Sequence, residues 1–476
     1  MTKVLVSEEN LTNIADSIRS KLDVETTYKP GQMSAAIDSI ETGGGLEING
    51  KKENFIPYGA VLAGDFVRNR NTFSMASDES MVSIQNAARN ITTVALDENR
   101  VFVTYLKLHN TSKNYYGIYG VICTIDGTTV TSIGEEVTIF TPSATGYHIV
   151  SAVKLTADKV FIALSRSSNT YPIGRVCTID GSTITVGTST TLASNYSTNI
   201  SVSRLTDNKV FIAYASAGDS TASIPRHLKG IVCTIDGTTI TSGTDTTLIQ
   251  TAGAGAVISA VCLDSTKVFI AHSSDNTNYY LNGLVCNISD TTITAGTDTT
   301  LVSVANYGKV ISGIKLYGYK VFIAYSTGGV IRGTVCTISG TTITAGSYVV
   351  ISSYPTTSMY TYLSTSIISG TKVLVMYKES YICGRICNCP AGTEITMYGN
   401  FGFDSSSGAT FSTQVLNKYT IFVAHSSDTT NYYLNGVVAK PSIERIVASD
   451  SNPEVVGVAN ATIAHDTLGE VWVPNF

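Results

Sequence analysis

A short apolar run recurs seven times along the 476-residue chain, and no other feature of the sequence constrains the fold as tightly. The copies are Val101-Phe102-Val103, Val160-Phe161-Ile162, Val210-Phe211-Ile212, Val268-Phe269-Ile270, Val321-Phe322-Ile323, Val373-Leu374-Val375 and Ile421-Phe422-Val423. They lie about 53 residues apart, a period that belongs to repeat architectures. Each copy has the same surroundings. A segment such as Ile149-Ser151-Val153-Leu155 alternates like a half-buried strand, and Ala157-Asp158 turns the chain. Residues 159–163 are then apolar almost throughout, as expected of a strand covered on both faces. A third strand, Gly230 to Ile235, ends in Asp236-Gly237, a two-residue hairpin turn in which glycine accepts the positive φ. A fourth strand, Thr238 to Thr241, runs into Gly243-Thr244-Asp245. Seven four-stranded units in series predict an all-β chain folded as a seven-bladed β-propeller.

The seventh unit stops at its third strand, Gly436 to Ala439. Residues 72–83 align without a gap to residues 292–303, so the N-terminal segment is expected to supply the missing strand and close the ring. Closure removes edges that would otherwise template association. The expected organisation is a helical attachment or oligomerisation segment (1–45), an extended linker or β arm (46–71), the propeller (72–446, closed by strand 72–83) and a short C-terminal β appendage (447–476).

Charge and cysteine placement exclude several classes. Net charge is −5 with no basic block, so a nucleic-acid partner is not expected. No stretch approaches the length of a spanning helix, and membrane insertion is not expected. The start turns acidic at Glu8-Glu9 before a signal sequence could form, which predicts cytoplasmic synthesis without a signal peptide. Cys123, Cys177, Cys233, Cys286, Cys336 and Cys387 hold one position in successive units, too far apart for disulfides and suited to small buried side chains. Cys383, Cys387 and Cys389 share a strand face, but no nearby His or fourth Cys completes a zinc set, and no metal or cofactor is expected.

Ahead of the ring, Leu11, Ile14, Ala15, Ile18 and Leu22 fall at helical spacing, and Pro30 opens a second stripe of Met33, Ala36, Ile37 and Ile40 before Gly43-Gly44-Gly45. Two helices of this size need a partner to cover their stripes, either each other and a second chain or their own propeller. The pattern from Leu11 to Lys21, with Tyr28-x-Pro30-x-x-Met33-x-x-x-Ile37, resembles an N-terminal segment of tail and tail-fibre proteins of phages and prophages of Gram-positive bacteria. Val61 to Val67, the ending from Val456 to Ala459 and Gly469 to Pro474, and the propeller repeats look like other pieces of the same proteins. The resemblance implies a virion location, attachment to other tail or baseplate proteins through residues 1–45, and a homo-oligomer, with a trimer the guess from analogy.

The candidate working face follows from the meander. Connections between the first and second strands, and between the third and fourth, are tight: Thr206-Asp207-Asn208, Asp264-Ser265-Thr266 and Asp236-Gly237. Those on the other side are long, varied and rich in Asn, Ser, Thr and Tyr. Two are near duplicates three blades apart, His272 to Gly283 and His425 to Gly436. Tyr gives a flat plate with one hydroxyl, and Ser and Asn give adaptable hydrogen bonds, the pairing that sugars require. The candidate ligand contacts are Tyr115, Tyr116, Tyr279, Tyr280, Asn282, Tyr432, Tyr433, Asn435, Asp275 and Asp428. His272 and His425 replace Tyr105, Tyr214, Tyr325 and Tyr377 of other units and read as strand-end packing residues.

The leading expectation is therefore a virion tail protein that binds a host cell-surface glycan through the long-loop face. The alternatives are a structural tail or baseplate component that binds another phage protein, and a tail-borne glycan hydrolase or lyase. Glycoside hydrolysis needs two converging carboxylates. Asp219, Asp275, Glu379, Asp404 and Asp428 are scattered over different blades, so no catalytic residues and no enzyme activity are expected.

Overall fold

The computed structural model describes residues 50–55, 66–69, 72–75, 79–82 and most of 89–474, apart from 111–114, 142–147, 167–170, 217–226, 276, 307–309, 328–329, 354–361, 380–381, 391–392, 403–409, 418–419, 428–432, 443–445, 449–454 and 460–468. Every regular element among the described residues is a strand, and the helical reading of 1–45 lies outside them. The chain divides into two units, Met1–Ser74 with Pro441–Phe476, and Met75–Lys440.

In the first unit, Gly50–Phe55, Gly469–Pro474, Val455–Ala459, Phe66–Asn69 and Ile446–Ala448 lie side by side in that order as one antiparallel sheet. Glu53 pairs with Val471, and Val458 with Trp472. The stretches before and after the propeller, which the sequence presents as separate arms, thus contribute strands to the same sheet.

The second unit is a seven-bladed propeller, as the repeat predicts. Blade two shows the plan: His148–Thr156, Lys159–Arg166, Ile173–Asp180 and Thr183–Val186 pair in order, and Thr190–Thr191 pairs again with the third strand. The outer strand is therefore broken in two, and at the break the Gly187 N–H donates to Val176 O at 2.9 Å. The first strand of each blade touches the first strand of the next around a full circle, from 89–95 through 411–417 and back to 89–95. The last blade takes its outer strand from Thr72–Met75 and Glu79–Val82. There Leu434 faces Val82, Asn435 faces Ser80 and Gly436 faces Glu79, the same offsets as Leu281–Val302, Asn282–Thr300 and Gly283–Thr299 in blade four.

The apolar second strands build the core between blades. Val210, Ile212 and Tyr214 pack with Phe161, Ala163 and Val176 of blade two, while Phe211 and Ala213 pack with Val268, Ile270 and Leu284 of blade four. One strand thus serves two interfaces, which is why it has no polar face. Each buried aromatic contributes about 1.5–3 kcal/mol by leaving water. Gly283 marks where blades interlock: a Cβ there would stand 3.2 Å from both the Phe269 ring and Ile343 Cδ1 of the next blade. The six repeated cysteines are buried in these interfaces and free of disulfides, and burial pushes the Cys286 and Cys336 thiols up to about 12.

The innermost strands leave one backbone edge without a strand partner. At five of the seven joints a serine from the preceding blade covers it. The hydroxyls of Ser151, Ser201, Ser259, Ser312 and Ser412 accept from the N–H groups of Val202, Ala260, Gly313, Thr365 and Thr93 at 2.9–3.2 Å. Each serine faces the fifth residue of its own blade's second strand, for example Ser201 opposite Ala213. These bonds matter because a buried N–H without an acceptor costs roughly 1–3 kcal/mol.

Candidate functional site

The near-duplicate loops of blades four and seven fold on the same frame. In blade four, Ser274 N–H donates to Tyr280 O at 2.9 Å, and Tyr280 N–H donates back to Ser274 Oγ at 3.1 Å. In blade seven, Ser427 and Tyr433 make the same two bonds at 2.8 and 3.1 Å. His272 and His425 reach the carbonyl of the following serine through Nδ1 at 2.9 and 3.0 Å. Asp275 organises the tip of the blade-four loop. Its Oδ1 accepts from the N–H groups of Thr277 and Asn278 at 2.7 and 2.5 Å, and Oδ2 accepts from Ser274 Oγ at 2.9 Å. Partial burial works to raise its pKa, but these donors outweigh it and hold the carboxyl below the usual value. The result is a short clamp that holds Tyr279 at φ 52°, in the left-handed region that a bulky residue adopts only when its neighbours enforce it. Tyr279, Tyr280 and Tyr433 are half-buried, so each keeps part of its surface open.

The other predicted contacts divide. Asp428 and Tyr432 lie outside the described residues. Asn435 is a half-buried strand residue that pairs with His425. Tyr115 and Tyr116 correct the loop reading of blade one. The hairpin there is longer, Arg100–Asn110 against Tyr115–Asp126, so Tyr115 pairs with Asn110 and Tyr116 with Leu108. Tyr116 is 8% exposed and packs between blades one and two, which leaves it no surface for a ligand. Asn282 is corrected for a similar reason. It lies in a strand opposite His272, is 7% exposed, and its Nδ2 donates to Asp298 Oδ2 at 3.0 Å.

Behind the loops runs a polar latch that the sequence reading missed. The side chain after the apolar run meets an acid at the break in the outer strand. Tyr105 OH donates to Glu136, Tyr214 OH to Asp245 Oδ1 at 2.7 Å, and His272 Nε2 meets Asp298 Oδ1 at 3.0 Å. A second donor joins each acid: Lys107, Lys229 or Asn282. Blade two has Leu164 in place of the Tyr and Ser189 in place of the acid, while blade five keeps Tyr325 with Tyr348 in the acid's place, so the two positions do not change together and the latch leaves no clear signal in the sequence. Burial raises the Tyr214 hydroxyl, and the Asp245 charge raises it further. For Asp298, burial works to raise the carboxyl, but His272 and Asn282 outweigh it and lower the pKa from 3.8. Asp298 therefore adds stability that is complete above about pH 4 and is lost as pH falls through the lowered value. Asp298→Asn is expected to reduce Tm at neutral pH and to flatten its fall on the acid side. An acid slope identical to that of the parent protein would count against the latch.

A stacked aromatic pair also escaped the search for doubled tyrosines. Tyr171, 43% exposed, lies between the second and third strands of blade two, and Tyr196 lies in the connection to blade three. Their centroids are 5.1 Å apart with the planes 22° from parallel.

No family model matches the chain, and none of the curated proteins matches it. Among solved structures, it is similar to a protein of unknown function from Dyadobacter fermentans DSM 18053, at 11% identity and TM-score 0.44, over 78% of this chain and 99% of that one. It is similar to the NanB sialidase from Streptococcus pneumoniae at 13% identity and TM-score 0.47, over 78% of this chain and 70% of that one. It is also similar to Aleuria aurantia lectin in complex with alpha-methyl-L-fucoside, at 12% identity and TM-score 0.39, over 69% of this chain and 99% of that one. The expectation that the chain is no enzyme is corrected by the second of these. A sialidase, a glycosidase, stands among the structures similar to this chain, and scattered carboxylates on one face are no ground for excluding catalysis. At 11–13% identity these are likenesses of fold.

Proposed function

We propose that this chain binds carbohydrate through the long-loop face of its propeller, with the paired loops of blades four and seven as the principal contacts. The observation that carries this reading is the repeated frame. Two loops three blades apart form the same two Ser–Tyr hydrogen bonds, and each holds a half-buried Tyr at its base. Two identical hydrogen-bonded platforms suit a ligand with a repeating unit, and a glycan is such a ligand. A Tyr plate covers the C–H face of a sugar, and the neighbouring amide and hydroxyl groups take its OH groups. The stacked Tyr171 and Tyr196 extend the aromatic surface to blades two and three.

The finer reading is a virion tail protein that recognises a host surface glycan. The likeness of the segments flanking the ring to phage tail proteins supports it. A single shallow site binds weakly, and several sites on one ring and several rings on one particle raise avidity by roughly 10²–10⁴-fold when the geometry permits.

Replacing Tyr279, Tyr280, Tyr432 and Tyr433 with Ala is expected to abolish binding to a glycan array or to purified cell walls, with Tm nearly unchanged. Binding that survives this change, in a protein of unaltered Tm, would place recognition elsewhere.

A further inference from the structure

The tight-turn side of the ring contains a cavity of about 550 Å³, formed by the innermost strands of blades two to five. Val153 and Ile314, both half-buried, give it an apolar wall beside the buried Val202 and Val261. Lys154, Arg204, Cys262 and Lys315 line it from one equivalent position, each opposite the first residue of its blade's apolar run. On the other three blades that position is Ala95, Ile367 or Val415. Three cations thus share one arc of the ring, and the opposite arc is neutral.

Their charge is only partly spent. Lys154 Nζ donates to Leu96 O and Lys315 Nζ to Leu263 O, each on the preceding blade. An ammonium has three donors, so two remain on each. Neither Lys has a carboxylate within ion-pair distance among the described residues. Arg204 pairs with Asp207, which is exposed and screened by water. Asp264 is engaged elsewhere: its Oδ1 accepts from Thr266, and its Oδ2 accepts from Tyr319 OH at 2.7 Å. The Cys262 thiol senses this field. Burial raises it, Lys315 pulls it down, the Asp264 carboxylate works to raise it and Arg204 to lower it, so both cations reach the thiol against one acid. The turn that follows Lys315 carries exposed Tyr317 and Tyr319, so this face is not bare scaffold.

We propose that this cavity is a second binding site, for an acidic saccharide. Lys154, Arg204 and Lys315 hold its oxyanion, and its ring lies on the valine and isoleucine wall. The volume falls within the range of small-ligand sites, roughly 300–1,000 Å³. In a chain of net charge −5, three cations gathered around an apolar hollow focus the field on an incoming anion. The site shares no residue with the long-loop face, so either can fail alone.

Cys262 supplies the readout, because it is half-exposed while the other eight free cysteines are buried. The rate of its alkylation by iodoacetamide in the full chain, in mildly alkaline low-salt buffer, is to be measured with glucuronate, inorganic phosphate or glucose. Glucuronate is expected to slow the reaction several-fold and glucose to leave it unchanged. Phosphate is expected to protect only at higher concentration than glucuronate. Arg204→Gln with Lys315→Gln, both at exposed positions, is expected to keep the parent Tm and to lose the protection. Tyr279→Ala with Tyr433→Ala is expected to retain it. Equal rates with and without glucuronate, or protection that persists in the double Gln variant, would overturn the site. Equal protection by phosphate and glucuronate would overturn the saccharide assignment.

Discussion

A chain lacking residues 1–83 is expected to aggregate, whereas one lacking only residues 1–71 retains a folded, soluble ring. Both deletions remove Gly50–Phe55 and Phe66–Asn69 from the other sheet, so the comparison isolates the strands Thr72–Met75 and Glu79–Val82. Those strands cover the third strand of the last blade, where Leu434 and Val438 are almost completely buried. Without them the third strand offers a row of unpaired amides and carbonyls beside an uncovered apolar surface, the combination that templates association. The loss is close to all-or-none, because the outer strand also sets the register at Asn435 and Ser80. Size-exclusion chromatography and near-ultraviolet circular dichroism distinguish the outcomes. A native-like monomer after the longer deletion is the result that defeats this account.

Phe269→Ala is expected to cost about 3–5 kcal/mol, the usual loss for a large core aromatic whose cavity cannot fully collapse. Phe269 is fully buried, and its cluster joins blade four to blade five through Val261, Ile311, Val321 and Ile323. Its ring lies against Gly283, where there is no side chain to swing into the space. Gly283→Val is expected to cost about 1–3 kcal/mol by overpacking, since its Cβ would enter the Leu301, Ile343 and Phe269 contacts. The two positions touch, so their costs should not add. Chemical denaturation of the single and double variants measures all three values. A cost below about 1 kcal/mol for Phe269→Ala would mean that the blade interface is far more compliant than its packing implies.

The ring was legible because its signals are local and repeated. A strand buried on both faces must be apolar throughout, and seven such strands at one spacing leave few other folds. The hairpin turns were legible for a similar reason: Gly237 takes positive φ at the predicted place, Gly127, Gly181 and Gly340 do so at the equivalent positions, and Asp290 takes it where blade four has no glycine. The candidate face was harder to read. Whether Tyr116 belongs to a loop or to a strand depends on how far the hairpin of blade one continues, and alternation does not mark that point. Asn282 looked like a loop amide because its acid partner, Asp298, lies at the break in the outer strand, between Thr292–Ala295 and Thr299–Val302. The channel cations were illegible for a deeper reason. Lys154, Arg204 and Lys315 hold one equivalent position in three separate repeats, and only the closed ring brings such positions together around one axis.

The serine contacts around that axis all point the same way. At these five joints the oxygen belongs to the earlier blade and the N–H to the later one, so all five have the same polarity. Both halves of the connector are carried within a single repeat: a hydroxyl for the successor, and an amide for the predecessor one residue further along the strand. A duplicated blade of this kind would therefore arrive with both ends of its joint already made, and it could be inserted beside blades three to five without a new hub contact having to evolve. On this view the matching loops of blades four and seven are what such copying leaves behind: interchangeable modules whose exposed tips were free to diverge while the hub kept its wiring.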